Sequence, residues 1–266
     1  MALAPAERPA DVFGPERLEM MRALPDLVIA AIAGRDSVAA TVAACREEGY
    51  TAVLPTVVLT GTEYGDPDAP LAAVQLLRNL LEGEADVLDP TRFGSPALWA
   101  ALNGRFAAEI ADRYSVASPC LACHLYVHLV RVPLSWSLGS VAVVTGERDT
   151  HDGQLKLSQT KASIDAEVRV LAHAGVDLLT PVRNRPTAEI DVLTGGKWEG
   201  QDDGWSCVHS GNYVRLDGSV EFDSVGYLRY VSEFLEPCGM RVVEAWRSIA
   251  VGIPDYESIV RGVLEA

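Results

Sequence analysis

A repeating order of short apolar runs and amphipathic helical segments constrains the fold of this chain more than any other feature. The first run, DLVIAAIA from Asp26 to Ala33, is followed directly by GRDS and by the helical segment VAATVAACREEG. Nearly continuous apolar runs of this length are typical of strands buried on both faces of a sheet. The next run, TAVLPTVVLTG, predicts a second buried strand with Pro55 at its start or at an irregularity. These segments together predict a βαβ unit.

The same order of elements continues to about residue 185. Helical periodicity predicts helices from Pro70 to Leu81 and from Ser95 to Tyr114, with Ser95 as the N-cap of the second. SVAVVTG predicts a third buried strand, KASIDAEVRVLAHAG a helix, and VDLLTPV a fourth strand. This alternation predicts an α/β fold with a right-handed, doubly wound parallel sheet.

Three regions are expected along the chain, all within one globule. Residues 1–24 form an N-terminal tail and a short helix, and the first dozen residues are expected to be loose. Residues 25–185 form the α/β domain, and residues 186–266 form a covering segment with helices near Ser224 to Leu235 and Tyr256 to Ala266. Within the last region, KWEGQDDGWSCVHSGNY predicts an irregular lid or covering loop, because it is rich in Gly, Trp and polar residues.

The charge balance disfavours a nucleic-acid substrate. The 266 residues include 22 Lys plus Arg and 37 Asp plus Glu, which gives a formal net charge of −15. Such a surface repels phosphate backbones, so a nucleic acid would need a local basic strip. Candidates for that strip are Arg131, Arg183, Arg185 and Arg215. The sequence shows neither a membrane-length apolar run nor a secretory signal at its start, and a cytoplasmic location is expected.

The segment IAGRDS joins the first predicted strand to its helix. Backbone N–H groups and the positive end of the helix dipole meet at such a junction, where anions bind. Gly34 permits a close backbone approach, Ser37 offers a hydroxyl, Asp36 a carboxylate for magnesium or water, and Arg35 a positive charge. The alternative interpretation is an ordinary capped helix with Asp36 or Ser37 as the cap.

A second polar segment, TGERDTHDGQLKLSQT, follows the third predicted strand. It lies at the carboxyl end of that strand, where ligands of open parallel sheets collect. The insertion from Asp149 to Gln159 is longer than the usual connection between a strand and its helix, which favours a functional loop over a merely solvated one. Lys156 and Lys161 would supply charges for phosphates.

The cysteines suggest a second kind of chemistry. In SPCLACH, Cys120 and Cys123 stand at a helix start, so both sulfurs can face one centre while the helix dipole favours their thiolates. Cys207 lies in the segment that could fold over the sheet edge. Cys45 is expected in the core, and Cys238 has no partner in sequence.

The spacing of these cysteines leaves several interpretations open. Thiolates suit iron or zinc, and zinc would take His124 or His209 as its fourth ligand. Cys120 and Cys123 could instead pass sulfur as a persulfide without a metal, or be small buried side chains. His128 and His173 are expected to be packed or solvated helix residues.

The IAGRDS junction resembles the SGGxDS signature of the PP-loop ATP pyrophosphatase superfamily, whose fold is related to the adenine nucleotide alpha hydrolases. Gly34, Asp36 and Ser37 match the signature, whereas Ile32 and Ala33 stand where the family has Ser and Gly. The resemblance implies a Rossmann-like PP-loop fold that binds ATP and Mg²⁺. The residues it places at the nucleotide are Ala33, Gly34, Arg35, Asp36, Ser37, Gly146, Glu147, Arg148 and Lys156.

The cysteine arrangement is similar to the thiolation branch of the same superfamily. The resemblance implies that Cys120, Cys123 and Cys207 hold a 4Fe–4S cluster with one iron open for sulfur, and that they act in catalysis together with Asp36. The implied activity is an ATP-dependent sulfur transfer that adenylates a carbonyl-type oxygen, replaces it with sulfur, and releases AMP and pyrophosphate.

The charge of the chain and the resemblance together indicate which acceptor and partners to expect. A small heterocycle is favoured over a tRNA base, with a separate sulfur donor and a homodimer as further expected partners. Two alternatives are an amide- or amidine-forming ligase of the same superfamily and a nucleotide-binding protein without chemistry.

Overall fold

The computed structural model describes residues 6–116, 118–149, 151–196, 198, 205–249 and 252–266. Its central sheet contains β1 (Leu27–Ala31), β2 (Ala52–Val58), β4 (Asp86–Val87), β5 (Thr91–Phe93), β6 (Val143–Val144) and β7 (Leu178–Leu179). The strand order is β4-β2-β1-β6-β7, with β5 also paired to β2, and every pair is parallel. A separate antiparallel ribbon joins β3 (Glu63–Gly65) to β8 (Trp205–Cys207).

Helices surround the sheet. In the described ranges they are α1 (Pro9–Phe13), α2 (Pro15–Arg22), α3 (Arg35–Glu48), α4 (Ala69–Leu80), α5 (Pro96–Asn103), α6 (Ala107–Tyr114), α7 (Cys120–Leu129), α8 (Val132–Ser137), α9 (Lys161–His173), α10 (Thr187–Leu193), α11 (Ser224–Arg229), α12 (Glu236–Ser248) and α13 (Tyr256–Leu264). A 3-10 turn (Leu157–Gln159) precedes α9, and a π-helical segment (Tyr230–Leu235) joins α11 to α12.

The two faces of the sheet are both buried, as the apolar runs predicted. All five residues of β1 are buried, and alternate ones belong to different cores. Ile29 lies in the larger core, which includes residues of α5, α7, α9, α12 and α13, whereas Val28 lies in the smaller core with α3, α4 and α10. Because successive strand side chains point to opposite faces, this division places helices on both sides. The predicted doubly wound parallel α/β fold is confirmed.

Pro55 lies in the middle of β2, at the gap between the two short strands, β4 and β5, that pair with one edge of β2. The carbonyl groups of Thr51 and Val53 accept hydrogen bonds from the β4 side of the sheet. The nitrogen of Pro55 therefore faces the same edge, at a point where β4 has ended and β5 has not begun. No ladder hydrogen bond is lost there, which explains how a proline is accommodated in a buried strand.

The predicted helix from Ser95 to Tyr114 is two helices, α5 and α6. Ser95 caps α5 as predicted, with its Oγ 3.4 Å from the backbone nitrogen of Leu98. The helix ends at Gly104, where the nitrogens of Gly104 and Arg105 both bond to the carbonyl of Ala100. Glycine has little helix propensity, and it supplies the break that apolar periodicity alone did not reveal.

The first dozen residues are not loose over the part that the structure describes, so this expectation is wrong from Ala6 onward. Ala6 is buried, and its nitrogen donates to the carbonyl of Gly94. The carboxylate of Glu7 accepts hydrogen bonds from the hydroxyls of Ser95 and Tyr256, the latter at 2.6 Å. These contacts tie the N-terminus to α5 and α13.

The two helical segments predicted for the C-terminal region correspond to α11 with the π-helical segment and to α13, whereas α12 was not predicted. The division at residues 24 and 185 stays a prediction. Across the described residues, no helix combines the length and the apolar character that crossing a membrane requires.

Candidate active site

The candidate site lies at the carboxyl edge of the sheet, between β1 and β6. The chain leaves β1 for α3 on one face and leaves β6 towards α9 on the other. In an open parallel sheet, two connections that diverge in this way leave a crevice between them, and ligands bind there. The residues after both strands therefore define the site.

The loop after β1 is held together by Ser37. Its Oγ accepts hydrogen bonds from the backbone nitrogens of Ala33 at 3.0 Å and Gly34 at 3.1 Å, and donates to the carbonyl of Gly34 at 2.6 Å. These contacts correspond to the helix-capping interpretation of the segment. To bind a phosphate, the backbone N–H groups of Ala33 and Gly34 would have to give up their hydrogen bonds to the Ser37 hydroxyl.

Asp36 lies between two guanidinium groups. Its Oδ1 is 3.3 Å from Nε of Arg35, and its Oδ2 is 3.2 Å from a terminal nitrogen of Arg148. Arg148 is 1% exposed, also contacts Thr187, and has no partner for its buried Nε among the described residues. A cation at Asp36 must compete with both arginines, whereas an anion would find an unused N–H donor on Arg148.

Gly146 packs directly on the first turn of α3. A β-carbon at this position would overlap the backbone of Asp36 and Ser37, so only glycine fits. This contact joins the loop after β6 to the loop after β1.

The long insertion after β6 surrounds a cavity of about 450 Å³. Its lining residues are Asp149, His151, Asp152, Gly153, Gln154, Leu155, Asn184 and Pro186. Burial lowers the pKa of His151, and the charges of Lys156 and Arg148 lower it further. The pKa of Asp152 is lowered first by a hydrogen bond from Thr187, with Arg148 and Arg35 contributing. The lining itself holds two carboxylates and neither Lys nor Arg, and the positive charges that act on it come from Arg35, Arg148 and Lys156 beside it.

The structure brings Cys207 to Cys120 by means of the β3–β8 ribbon. Cys207 pairs with Glu63, and β3 begins a few residues after β2 ends. His209 touches both sulfurs, because its carbonyl accepts from Cys120 Sγ at 3.2 Å and its backbone nitrogen lies 3.4 Å from Cys207 Sγ. The segment around Cys207 was predicted to be irregular, and the formation of β8 corrects that expectation. Residues 197 and 199–204 of that segment lie outside the described residues.

The thiol of Cys123 is more buried than that of Cys120. Its pKa is raised to about 12, mainly by burial, with a 3.4 Å hydrogen bond from Nε1 of Trp99 lowering it and the charges of Cys207 and Cys120 adding to the rise. Burial also raises the pKa of Cys120. The helix start therefore does not favour free thiolates, contrary to the expectation from the dipole, because desolvation is the larger effect.

The sulfurs of Cys120, Cys123 and Cys207 do not all lie within 4.8 Å of one another, so they do not form a preformed site for a single metal ion, whereas the ligands of a cluster stand further apart. Cys120 and Cys207 both contact His209, and the charges of these two cysteines raise the pKa of Cys123, so the three thiols belong to one neighbourhood. N–H groups of Trp99 and His209 point to Cys123 and Cys207, and such donors stabilise thiolates once a cation offsets their charge.

The two candidate zinc histidines take different positions. His209 stacks on Trp99 with ring centroids 6.2 Å apart and stays beside the cysteines. His124 instead places Nδ1 2.9 Å from Oε1 of Glu147, the residue after Gly146. His124 therefore belongs to a separate group of buried polar residues.

The predicted basic strip does not form. Arg131 is 2% exposed and donates to the side chain and carbonyl of Thr56, so its assignment to a surface strip is wrong. Arg183, Arg185 and Arg215 all contact carboxylates. Arg183 pairs with Asp149 and Asp165, Arg185 with Glu47, and Arg215 with Glu221. Lys161 likewise pairs with Asp165.

Sequence reasoning did not bring together one group of residues, although it named three of its four members separately. Glu167 on α9 is fully buried beside His128 and Glu147. Two signals could have revealed the group: His124 and His128 are four residues apart on an apolar helix, and Glu167 follows Ile164 on the inner face of α9. His128 is buried, in agreement with the expectation that it is packed.

The fold and the site define an α/β protein with an anion-type loop at the switch point of its sheet and three cysteines at the same edge. No family model matches the sequence. The uncharacterized protein MJ0009 of Methanocaldococcus jannaschii is 36% identical over 225 residues, which are 83% of this chain and 81% of the relative. The chain belongs to the family of MJ0009.

Two solved structures show more distant likeness. A predicted subunit of tRNA methyltransferase from M. jannaschii has 16% identity and a TM-score of 0.37, with 65% of this chain and 75% of the other covered. The U34-tRNA thiolase NcsA from Methanococcus maripaludis, solved with its 4Fe–4S cluster, has 12% identity and a TM-score of 0.39, with 98% and 78% covered. Likeness at this level does not extend to substrate or activity.

Proposed function

We propose that this protein is an ATP-dependent sulfurtransferase of the PP-loop type. It adenylates a carbonyl-type oxygen of its acceptor and then replaces that oxygen with sulfur. The sequence resemblance suggests this activity, and the geometry of the described residues supports it.

The observation that carries the proposal is a continuous series of contacts from the phosphate-type loop to the cysteines. Gly146 packs on the backbone of Asp36, and the next residue, Glu147, bonds to His124. His124 directly follows Cys123 on α7. An activated acceptor at the loop and a sulfur held at the cysteines would therefore share one edge of the sheet, as sulfur transfer requires.

The loop side of the site is suited to polyphosphate. The first turn of α3 directs backbone N–H groups beyond the helix, Arg35 and Arg148 both contact Asp36 there, and the charge of Lys156 acts on His151 nearby. In the proposed first step the acceptor oxygen bonds to the α-phosphorus of ATP and pyrophosphate leaves. Asp36 would hold Mg²⁺ after exchanging its arginine partners for the ion, and Arg148 would stabilise the charge that develops on phosphate.

The cysteine side would receive and deliver the sulfur. Cys120, Cys123 and Cys207 would hold a 4Fe–4S cluster, which when bound supplies a site for the incoming sulfur. The sulfur then bonds to the activated carbon, and AMP leaves with the former acceptor oxygen. Inorganic sulfide is the class of donor that balances this exchange, because it brings sulfur at the oxidation state of the product and AMP carries away the acceptor oxygen.

The acceptor is proposed to be a small heterocycle. The net charge of −15 opposes a polyanion, and the described arginines of the expected strip are buried or paired with carboxylates. Transfer RNA is the second acceptor to be tested, because the thiolation branch that the sequence resembles includes enzymes that modify tRNA.

Two measurements test the function. Protein purified without oxygen is assayed for iron and sulfide, alone and with Cys120, Cys123 or Cys207 changed to Ala. The same protein is then given ATP, Mg²⁺ and sulfide with either bulk tRNA or a panel of free purines and pyrimidines, and pyrophosphate and AMP are measured. Acceptor-dependent release of both, lost in all three variants, supports the proposal. If colourless protein turned over fully, the cluster would be ruled out. If pyrophosphate and AMP were released without any dependence on the cysteines, sulfur transfer would be ruled out.

A non-catalytic nucleotide-binding protein is the second candidate. The engagement of Ser37 with its own loop and of Asp36 with two arginines favours it, because both side chains are occupied without ligand. Tight ATP binding without pyrophosphate release under every acceptor condition would identify this function.

A further inference from the structure

Four buried or half-buried side chains meet between α7, α9 and the residue that follows Gly146. They are His124, His128, Glu147 and Glu167, and we call them the His–Glu cluster. His124 and His128 are one helical turn apart on α7, Glu147 comes from the loop after β6, and Glu167 comes from α9. Only His124 reaches the surface, with 31% of its side chain exposed.

Glu147 is the centre of the cluster. Its Oε1 is 2.9 Å from Nδ1 of His124 and 3.1 Å from Nε2 of His128, and its Oε2 accepts from Gln159 at 2.7 Å. Both oxygens are therefore engaged, although the residue is only 5% exposed. The loop after β6 is fixed to α7 by these bonds.

Glu167 is the anomaly. It is completely buried, and neither of its carboxylate oxygens has a hydrogen-bond partner among the described residues. The nearest polar atom recorded for it is Nε2 of His128, 3.7 Å from Oε2 and outside hydrogen-bond distance. Burying a carboxylate without donors costs several kcal/mol, so the group requires either a proton or a cation.

A proton alone leaves this site unsatisfied. Burial and the neighbouring charge of Glu147 do raise the pKa of Glu167, which favours protonation in the absence of a cation. The resulting hydroxyl would still lack an acceptor and the second oxygen would still lack a donor. Nδ1 of His128 lacks a hydrogen-bond partner among the described residues whether Glu167 carries a proton or binds a cation, so it does not distinguish between these two states.

The spacing of the ligand atoms suits a small divalent cation. One ligand atom each from His128, Glu147 and Glu167 lies within 4.8 Å of the other two. The two separations from Nε2 of His128 are 3.1 Å to Glu147 and 3.7 Å to Glu167. Tetrahedral ligands about 2.0–2.1 Å from zinc are separated by about 3.3 Å from each other, which falls between these values.

The charges also balance. Two neutral imidazoles, two carboxylates and one divalent cation sum to zero, which is the state that a buried site in an apolar surrounding can accommodate. Imidazole with carboxylate favours zinc, iron or manganese over magnesium or calcium.

We propose that the His–Glu cluster binds one divalent transition-metal cation, represented by Zn²⁺, through Nε2 of His128 and the carboxylates of Glu147 and Glu167, with His124 on its solvent side. This site is separate from the three cysteines and does not depend on the proposed sulfurtransferase function. A bound cation would hold α7, α9 and the loop after β6 together and would thereby fix Gly146 against α3.

Cobalt substitution tests the site. The full-length protein with Cys120, Cys123 and Cys207 all changed to Ser is freed of metal and titrated with Co²⁺, and its visible spectrum and the bound equivalents are recorded. We expect one equivalent with the d–d bands of a low-symmetry nitrogen and oxygen site and no thiolate-to-cobalt charge transfer. In the same background Glu167→Gln is expected to weaken binding by at least roughly tenfold, since changes to outer-shell partners alone cost about 10–100-fold.

The variants are chosen so that misfolding cannot explain the result. Glu167→Gln keeps the shape of the side chain and replaces a carboxyl that is protonated in metal-free protein by a neutral amide, so the metal-free variant is expected to unfold at about the same temperature as its parent. The control Glu244→Gln changes an exposed glutamate, 60% accessible, and should leave cobalt binding unchanged. No binding by the folded triple-Ser protein, or equal binding by Glu167→Gln, would overturn the proposal.

Discussion

Gly146 lies so close to Asp36 that a β-carbon on the glycine would stand 2.4 Å from the carbonyl carbon of Asp36 and 2.4 Å from the nitrogen of Ser37. Real non-bonded atoms do not approach to this distance, and the contacts are backbone atoms that cannot turn aside. The two loops of the crevice can therefore pack this closely only because residue 146 has no side chain. The same glycine precedes Glu147, the centre of the His–Glu cluster, so one short segment couples three parts of the site.

Gly146→Ala is expected to separate these loops. Overpacking of this kind costs about 1–3 kcal/mol, and the shift of α3 should also weaken nucleotide binding. Urea denaturation and calorimetry with ATP and Mg²⁺ measure the two effects. The matched control is Gly104→Ala, where the nearest atom to a new β-carbon is 3.5 Å away, and its stability should change by less than about 0.5 kcal/mol. Equal stability and equal ATP binding in both variants would contradict the assigned role of Gly146.

The strands and helices around this contact could be predicted from the sequence because their signals are local. The apolar run of β1 is buried at every residue, and the α3 segment that follows it ends at Gly49, which has a positive φ of 84°. Burial on both faces requires such a run, and a left-handed helix end favours glycine. Patterns of this kind hold wherever a fold is regular.

The position of Cys207 could not be predicted, because it depends on a pairing between distant segments. β8 is three residues long, and its partner β3 lies far earlier in the chain. Neither segment alternates clearly between apolar and polar residues, so composition favoured a loop. The structure was needed to show which sulfurs meet.

Arg131 shows a different kind of failure, in which the signal was present. It lies in VHLVRVPLS between apolar neighbours, and that context indicates burial more than exposure. Its hydrogen bonds to Thr56 make a buried guanidinium possible. Charge type alone led to the surface assignment, whereas the neighbours carried the better information.

Asp36→Asn is expected to alter phosphate and magnesium binding in opposite directions. The change frees Arg148 from its carboxylate, so pyrophosphate without Mg²⁺ should bind about tenfold more tightly, while the dependence of ATP binding on Mg²⁺ should be lost. Stability should fall by about 1–3 kcal/mol because a buried guanidinium loses its ion pair. Calorimetric titration of pyrophosphate and ATP, with and without Mg²⁺, gives all the comparisons.

The control for this change is Asp191→Asn. It removes a carboxylate that lies 3.2 Å from Arg35 but is 49% exposed and does not contact Arg148. Both titrations should resemble those of the parent protein. If Asp36→Asn binds pyrophosphate no better and keeps its magnesium dependence, Asp36 does not face the phosphates.

Cys123 in metal-free protein is expected to react slowly and with a steep dependence on pH. A pKa of about 12 means that the thiol is protonated throughout the range from pH 7 to pH 10, so each pH unit should raise its alkylation rate about tenfold. At pH 8 the rate should be on the order of 10–100-fold below that of free cysteine, because the higher nucleophilicity of a basic thiolate offsets only part of its scarcity. Mass spectrometry of iodoacetamide-treated protein follows the residue separately, and a rate that levels off below pH 9 would contradict the raised pKa.

Ser206→Pro is expected to displace Cys207 without unfolding the sheet. Ser206 pairs with Tyr64 in the β3–β8 ribbon, and the next residue but one, Val208, donates its backbone N–H to Thr62. Antiparallel hydrogen bonds recur at every second residue, so the nitrogen of Ser206 also belongs to the ladder and proline would remove its donor.

In a Cys123→Ser background, Cys120 and Cys207 both contact His209 and should be bridged by phenylarsine oxide, a reagent for neighbouring thiols. Ser206→Pro should abolish this bridge while changing global stability by less than about 1 kcal/mol, because the ribbon lies outside the main sheet. Ser206→Ala keeps the backbone donor and should retain the bridge; if the proline variant retains it equally well, the ribbon does not hold Cys207 in place.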